Sequence, residues 1–131
     1  MTDDDRNELV QAALDAQQRA YCPYSKFPVG AAIRTASGKI YRGANVENAS
    51  YGLTICAERV AAGAAVAAGD RDFAAIAVVS RGGVSPCGAC RQFLAEFNPN
   101  LPVVMVDSLQ QEHGYRATLD ELLPSRFEGP Q

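Results

Sequence analysis

Two apolar runs of strand length, separated by a helix-length segment, most strongly limit how this chain can fold. Residues 73–80 (FAAIAVVS) and 102–107 (PVVMVD) are apolar almost throughout, which is typical of strands buried on both faces of a sheet. Between them, Ser85 and Pro86 have the pattern of an N-cap and a first helical residue, and they predict a helix over residues 86–97. This order predicts parallel strands joined by a crossover helix.

The flanking segments extend this pattern into a mixed α/β arrangement. Alanine-rich helices are predicted over residues 3–20 and 56–68, and a hairpin with strands at 29–34 and 39–45. A short strand near Tyr115 and a helical turn over residues 119–123 follow the second apolar run, with Thr118 and Glu121 as a capping box. The length of 131 residues fits a single domain over residues 1–131.

Composition and charge argue against several classes of function. Hydrophobic residues make up 47% of the chain and charged residues 21%, which is ordinary for a globular domain and unlike a disordered one. The net charge of −3 and the scattered basic residues offer no continuous track for a nucleic acid. No apolar run approaches the length of a membrane span, and the first residues are acidic rather than leader-like. We therefore expect a cytoplasmic protein that binds neither nucleic acid nor membrane.

Three of the four cysteines stand at predicted helix starts. Cys87 and Cys90 are three residues apart and share one helix face, and Cys56 begins another helix. Helix N-termini stabilise thiolates, and three thiolates at one point would form a zinc site with an open fourth position, the pattern of catalytic zinc. A redox C-x-x-C pair, or small buried cysteines, are the alternatives.

Two charged residues follow Cys56 closely. Glu58 would lie beside the open position, where a carboxylate can take a proton from water and pass it on. Taken alone, Glu58 would be only a first-turn glutamate that suits the helix dipole. Arg59 would offset the excess negative charge of three thiolates around a divalent ion, and a surface arginine is the alternative.

These segments resemble the small homotetrameric zinc-dependent cytidine deaminases. Residues 56–58 (CAE) and 86–90 (PCGAC) match the all-cysteine form of the zinc deaminase signature. The resemblance extends from about Tyr21 to Phe127 and includes residues 24–30 (YSKFPVG), 45–51 (NVENASY), 56–59 (CAER), 85–92 (SPCGACRQ) and 121–124 (ELLP). The fold expected is a three-layer α/β/α sandwich with a five-stranded mixed sheet.

The resemblance implies a reaction and a role for each residue of the zinc segments. One zinc ion per subunit would be held by Cys56, Cys87 and Cys90, with water in the fourth place. Glu58 would move protons from the water to ring nitrogen N3 and then to the leaving amine. The implied activity is hydrolytic deamination of cytidine and deoxycytidine to uridine and deoxyuridine plus ammonia, in pyrimidine salvage.

The resemblance also implies a nucleoside site completed by a neighbouring subunit of a homotetramer. Within this site, Asn45 and Glu47 would contact the sugar, and Phe27 would lie against the pyrimidine. The Ala57 N–H would bind pyrimidine O2, and Tyr51 would stand in the loop that lines the site. Phe127 would be inserted from the neighbouring subunit. A carboxylate at the sugar would repel a phosphate, which favours a nucleoside over a nucleotide. Turn chemistry for the Asn45–Glu47 pair, and a core position for Phe27, are the alternatives.

Other functions remain open at this point. A deaminase of a modified cytosine nucleoside such as blasticidin S would keep the chemistry and change the substrate. A zinc-binding module without catalysis would leave Glu58 unexplained, and a redox protein would leave both Cys56 and Glu58 unexplained. Cys22 is expected to be a small buried residue and His113 to be exposed, so that neither closes the fourth zinc position.

Overall fold

The fold is organised around a five-stranded mixed sheet. The computed structural model describes residues 1–130, except for the side chain of His113. Its strands are β1 (Gly30–Thr35), β2 (Ile40–Ala44), β3 (Phe73–Ser80), β4 (Pro102–Asp107) and β5 (Gln110–Thr118). They lie in the order β2-β1-β3-β4-β5. The β3–β4 pair is parallel, as the two apolar runs predicted, and the other neighbouring pairs are antiparallel.

Helices cover both faces of this sheet. They are α1 (Asp3–Gln17), α2 (Ala57–Ala67), α3 (Gly88–Ala95) and α4 (Leu119–Leu122), with a 3₁₀ turn at Tyr51–Leu53. Successive strand residues point to opposite faces, and they divide the core into two clusters. One cluster joins Ile33 and Ile76 to α2 and α3, and the other joins Ala32 and Ala77 to α1. The predicted three-layer α/β/α sandwich with five strands is therefore confirmed.

The start of α3 differs from the sequence prediction. Cys87, with extended backbone angles, is the N-cap, and the helix begins at Gly88. The predicted N-cap at Ser85 was wrong, because the Ser85 hydroxyl accepts a hydrogen bond from Arg91 Nη2 at 2.7 Å instead of capping the helix. The N-terminus of α3 therefore starts at a cysteine of the predicted zinc site.

Other boundaries differ by a few residues. The first helix ends at Gln17 instead of residue 20. The strand predicted near Tyr115 is nine residues long, because it pairs along the whole of β4. The 3₁₀ turn at Tyr51–Leu53 was not predicted. In residues 1–130, no helix combines the length and apolarity that crossing a bilayer requires.

A glycine on β2 lets the first turn of α2 lie directly on the sheet. A Cβ atom at Gly43 would collide with the carbonyl oxygen of Ala57 and the backbone nitrogen of Ala61. Any larger residue would push α2 outward. Gly43 thereby fixes the depth at which Cys56 and Glu58 lie.

Candidate active site

Three cysteine sulfurs converge where α2 and α3 begin. The Sγ atoms of Cys56, Cys87 and Cys90 lie within 4.8 Å of one another, and those of Cys56 and Cys87 are 3.9 Å apart. Cys56 is the N-cap of α2 and Cys87 the N-cap of α3, and neither side chain caps its own helix. We call these three residues the cysteine cluster. Two helix N-termini, each with partial positive charge, therefore face one group of thiols.

The electrostatics of the cluster favour a thiolate at Cys56. Hydrogen bonding with Cys90, followed by that with Arg59, lowers the pKa of Cys56 to about 5. The same contact with Cys56, together with burial, raises the pKa of Cys90. Of these two thiols, Cys56 therefore loses its proton more readily than Cys90.

Arg59 is the cation that faces this charge. Its Nη2 atom lies 3.6 Å from Cys56 Sγ and 3.5 Å from the carbonyl oxygen of Thr54. Its Nε atom is buried and has no hydrogen-bond partner among the described residues. The cluster becomes more negative when its remaining thiols lose their protons. The Arg59 guanidinium can stabilise that added charge, because it is positive and its buried Nε–H group is still free to donate.

Glu58 lies in the first turn of α2, immediately behind the cluster. Its side chain is 4% exposed, and this burial is the main cause of a raised pKa. The neighbouring Cys90 thiol favours the charged carboxylate and opposes part of this rise in pKa. A buried carboxyl group with a raised pKa beside possible metal ligands is well placed to accept and release a proton.

A segment between α1 and β1, residues 24–28, is held by side chains that follow β2. We call this segment the strap. Glu47 Oε1 accepts hydrogen bonds from the backbone N–H groups of Tyr24 (2.9 Å) and Ser25 (3.1 Å), and Glu47 Oε2 accepts one from the Ser25 hydroxyl. The hydroxyl bond is the main cause of a lowered pKa at Glu47.

Asn45 holds the other end of the strap. Its Oδ1 atom accepts a hydrogen bond from the Val29 N–H at 2.9 Å, and its Nδ2 atom donates to the Phe27 carbonyl oxygen at 3.0 Å. The side chain is buried, so these two bonds satisfy backbone groups that water reaches poorly. Asn45 and Glu47 thus fix the position of Phe27, which is half-buried.

A cavity of about 410 Å³ opens beside the strap. It lies against the predicted lining residue Tyr51 and the sugar-site candidate Glu47. The full lining is Tyr24, Ser25, Glu47, Asn48, Tyr51 and Thr54. The volume is in the range of small-molecule sites. Because the Thr54 carbonyl also accepts the bond from Arg59, the wall of this cavity is joined to the cysteine cluster.

The comparisons with known proteins identify this arrangement. The family model for the cytidine and deoxycytidylate deaminase zinc-binding region matches residues 3–106. The chain belongs to the cytidine deaminase family. The resemblance found in the sequence is therefore confirmed, and the chain is identified as an enzyme.

Individual relatives agree with this assignment. A cytidine deaminase of Halalkalibacterium halodurans is 50% identical over 125 residues, which are 94% of each chain. A crystal structure of cytidine deaminase from Burkholderia pseudomallei superposes with a TM-score of 0.89 at 48% identity, covering 97% of this chain and 100% of that one. A blasticidin-S deaminase of Bacillus cereus is 33% identical over 132 residues, which cover 92% of this chain and 90% of that protein.

The donor set fits the zinc ion that the cytidine deaminase family implies. Three sulfur ligands at the described spacing suit zinc better than an oxygen-preferring cation. The two helix N-termini and Arg59 compensate the charge that three thiolates would bring. Cys22 is half-buried instead of buried, and it is not part of the metal-binding group found among the described residues. The exposure predicted for the His113 side chain lies outside the described residues.

Phe127 is separated from the other predicted site residues. Its ring is 73% exposed, and its backbone is held by the side chain of Gln92 on α3. Gln92 Nε2 donates to the Phe127 carbonyl at 2.8 Å, and Gln92 Oε1 accepts from the Phe127 N–H at 3.3 Å. The structure therefore places this ring outward and does not bring it to the cavity of its own chain.

Two supports of the site, Arg91 and Ser25, are not predicted by the sequence. Arg91 donates to the Pro86 carbonyl (2.8 Å), the Ser85 hydroxyl (2.7 Å) and the Leu122 carbonyl (2.7 Å), and so ties α4 to the segment before Cys87. The Ser25 hydroxyl donates to Glu47 Oε2 and accepts a hydrogen bond from the Phe27 N–H at 3.0 Å, so Ser25 links Glu47 to the backbone of Phe27. Both residues stood in segments that carried the resemblance. Their partners lie up to 31 residues away, and no local pattern reveals such pairs.

Proposed function

We propose that this enzyme catalyses hydrolytic deamination of cytidine and deoxycytidine to uridine and deoxyuridine, with release of ammonia, in pyrimidine salvage. The observation that carries this proposal is the buried Glu58 directly behind three convergent cysteine sulfurs. A structural zinc site needs no buried carboxyl group beside its ligands. A non-catalytic zinc module is therefore a poorer account of the site.

The cysteine cluster would hold one zinc ion per subunit, through Cys56, Cys87 and Cys90. Bound there, zinc would supply Lewis-acid activation of a water molecule. Arg59 would stabilise the cluster in its fully deprotonated form, since its Nη2 atom already contacts Cys56 Sγ.

Glu58 would hold and move the proton. Its carboxylate accepts a proton from water and delivers it to ring nitrogen N3 of the cytosine. Protonation at N3 makes C4 electrophilic enough for attack by the water oxygen. Glu58, unprotonated again, would take the remaining proton from the hydroxyl group added at C4 and pass it to the exocyclic amine, so that the C4–N bond breaks, ammonia leaves and the C4 carbonyl forms.

The substrate contacts would come from the strap and its surroundings. Asn45 uses one of its two amide hydrogens on the Phe27 carbonyl, and the other remains available for a sugar hydroxyl. Glu47 would accept from a sugar hydroxyl and repel a phosphate, which favours nucleosides. As the first residue of α2, Ala57 has an N–H group without an intrahelical acceptor, and this group would donate to pyrimidine O2. Phe27 would lie against the ring, and Tyr51 would border the site.

We further propose a homotetramer in which each site is completed by a neighbour. The outward ring of Phe127 supports this, because such a ring is suited to entering a site on another subunit. Backbone bridges also place Tyr21, Val46 and Ile55 side by side, and all three are exposed. Exposed apolar patches of this kind mark interfaces. The free cysteines support a cytoplasmic location, where thiols stay reduced.

The deciding experiment mixes purified, zinc-assayed protein with cytidine and quantifies uridine and ammonia together. Equimolar release at a catalytic rate is the expected result, and the Glu58→Ala variant should bind zinc and release neither product. Blasticidin S serves as the comparison substrate, because one relative is named for it. A strong preference for blasticidin S would replace the proposed substrate. Full zinc content without turnover of either compound would favour the non-catalytic module.

A further inference from the structure

Arg81 contacts the strap from a different part of the fold. Its Nη2 atom donates to the Lys26 carbonyl oxygen at 2.9 Å. The central carbon of its guanidinium group lies 5.4 Å from the centroid of the Phe27 ring, within the range of a cation–π contact. One side chain thus engages both the backbone and the aromatic ring of the strap.

The backbone around Arg81 is firmly anchored. It follows Ser80, the fully buried last residue of β3. The Ser80 carbonyl accepts from the Ser108 N–H at 2.9 Å, and its hydroxyl accepts from the Val84 N–H at 3.1 Å. The central strand of the sheet therefore provides a rigid base from which Arg81 reaches the strap.

The strap needs such support at Lys26. Lys26 has a φ of 57°, in the left-handed region that residues with a Cβ atom rarely adopt. Its N–H donates to the Cys22 carbonyl at 3.0 Å, and its own carbonyl receives the Arg81 bond. A residue in this conformation persists when neighbouring contacts hold it on both sides.

We propose that Arg81 is a positioning residue that fixes the strap and orients the Phe27 ring for the substrate pyrimidine. The guanidinium lies over one face of the ring, so a flat base would have to meet the opposite face. The effect on catalysis rests on the proposed function, because Phe27 meets a pyrimidine only in that account. The fixing of the strap itself does not depend on the reaction.

The first test measures steady-state kinetics with cytidine on the zinc-loaded enzyme. We expect Arg81→Ala to raise KM about three- to tenfold and to leave kcat within about twofold of the wild-type value. This rise in KM corresponds to the loss of one exposed cation–π contact and one charge-assisted hydrogen bond. Arg81→Lys keeps a cation and a donor, and should recover part of the loss. Arg116→Ala, which removes an exposed arginine of β5, is the charge-matched control and should behave as wild type.

A double-mutant cycle tests whether Arg81 acts through Phe27. If it does, adding Arg81→Ala to Phe27→Leu should raise KM much less than it does in the wild-type background. Fully additive effects would overturn the proposed route through the ring.

Hydrogen exchange gives a readout that does not require turnover. Exchange in the peptide covering residues 22–29 should be faster in Arg81→Ala and unchanged in Arg116→Ala. Unchanged exchange in this peptide would overturn the proposal, and a uniform increase over the whole chain would reduce Arg81 to a general stabilising role. If the wild-type enzyme failed to deaminate cytidine while Arg81→Ala still loosened the strap, the proposed function would fail and the positioning of the strap would stand.

Discussion

The cysteine cluster and the strap are built in opposite ways. The cluster is formed by the first residues of two core helices, so the elements that carry its side chains also hold them in place. The strap contains no helix or strand, and its conformation depends on Glu47, Asn45 and Arg81, which come from other parts of the chain. The proposed reacting centre is thus carried by helices that pack in the core, whereas the proposed wall for the substrate is held in place by individual hydrogen bonds.

This difference predicts which measurable property a substitution in each region should change. A change in the cluster or at Glu58 should remove a proposed zinc ligand or the proposed proton carrier and leave the packing around it largely intact. A change in the strap supports removes a hydrogen bond from backbone groups, and its effect should appear in substrate affinity and in local stability. The predictions below test this contrast in order of expected size.

Loss of a cluster sulfur should have the largest effect. We expect Cys56→Ala to reduce bound zinc to near zero and turnover to the uncatalysed background, because two sulfurs cannot hold the ion as three do. Zinc content by atomic absorption and uridine release measure the two effects. Cys22→Ala is the matched control, since Cys22 lies outside the cluster, and equal losses in both variants would contradict the assignment of ligands.

Replacing the proton carrier should separate chemistry from metal binding. We expect Glu58→Gln to keep zinc and the melting temperature while lowering kcat by about 10²–10⁴-fold, the usual contribution of a general acid–base group. Glu96→Gln at the exposed C-cap of α3 controls for the loss of one carboxylate. Near-normal turnover in Glu58→Gln would refute its proposed role.

Removing a strap support should reduce stability while leaving zinc in place. Asn45→Ala leaves the Val29 N–H and the Phe27 carbonyl without partners in a buried region, at a cost of about 1–3 kcal/mol. We expect a melting temperature lower by roughly 3–10 °C, a raised KM and unchanged zinc content. Asn7→Ala on the exposed face of α1 is the control, and loss of zinc from Asn45→Ala would show that the two regions are not separable.

The smallest effect should be a pH dependence of the strap. The folded protein holds the pKa of Glu47 below its ordinary value of 4.5, mainly through the Ser25 hydroxyl. The carboxylate therefore stabilises the fold above that value, and this stabilisation disappears as the pH falls through the lower folded pKa. The difference in melting temperature between wild type and Glu47→Gln should be constant near neutral pH and should narrow below about pH 4.5. If the difference in melting temperature widened in acid, the pKa of Glu47 would be raised by folding instead of lowered, and this would contradict the hydrogen bond to Ser25.

Much of the fold could be predicted from local pattern. The runs at residues 73–80 and 102–107 matched β3 and β4 to the residue, because continuous apolar segments leave few alternatives to buried parallel strands. The start of α3 was predicted two residues too early, since Ser85 and Pro86 have the form of a helix start. In the structure the Arg91 side chain binds the Ser85 hydroxyl, so Ser85 does not cap the helix and α3 begins at Gly88.

The sequence by itself determined which residues the proposed chemistry would use. Cys56 and Glu58 stand at one helix start and Cys87 and Cys90 at another, so the geometry within each pair follows from short spacing, whereas the convergence of Cys56 and Cys87 across 31 residues needs the fold. Only the tertiary structure decided how the strap is held, because Arg81 and Lys26 are 55 residues apart and Ser25 and Glu47 are 22 apart. Contacts at such separations depend on the order of strands in the sheet, which brings together segments that no periodic pattern connects.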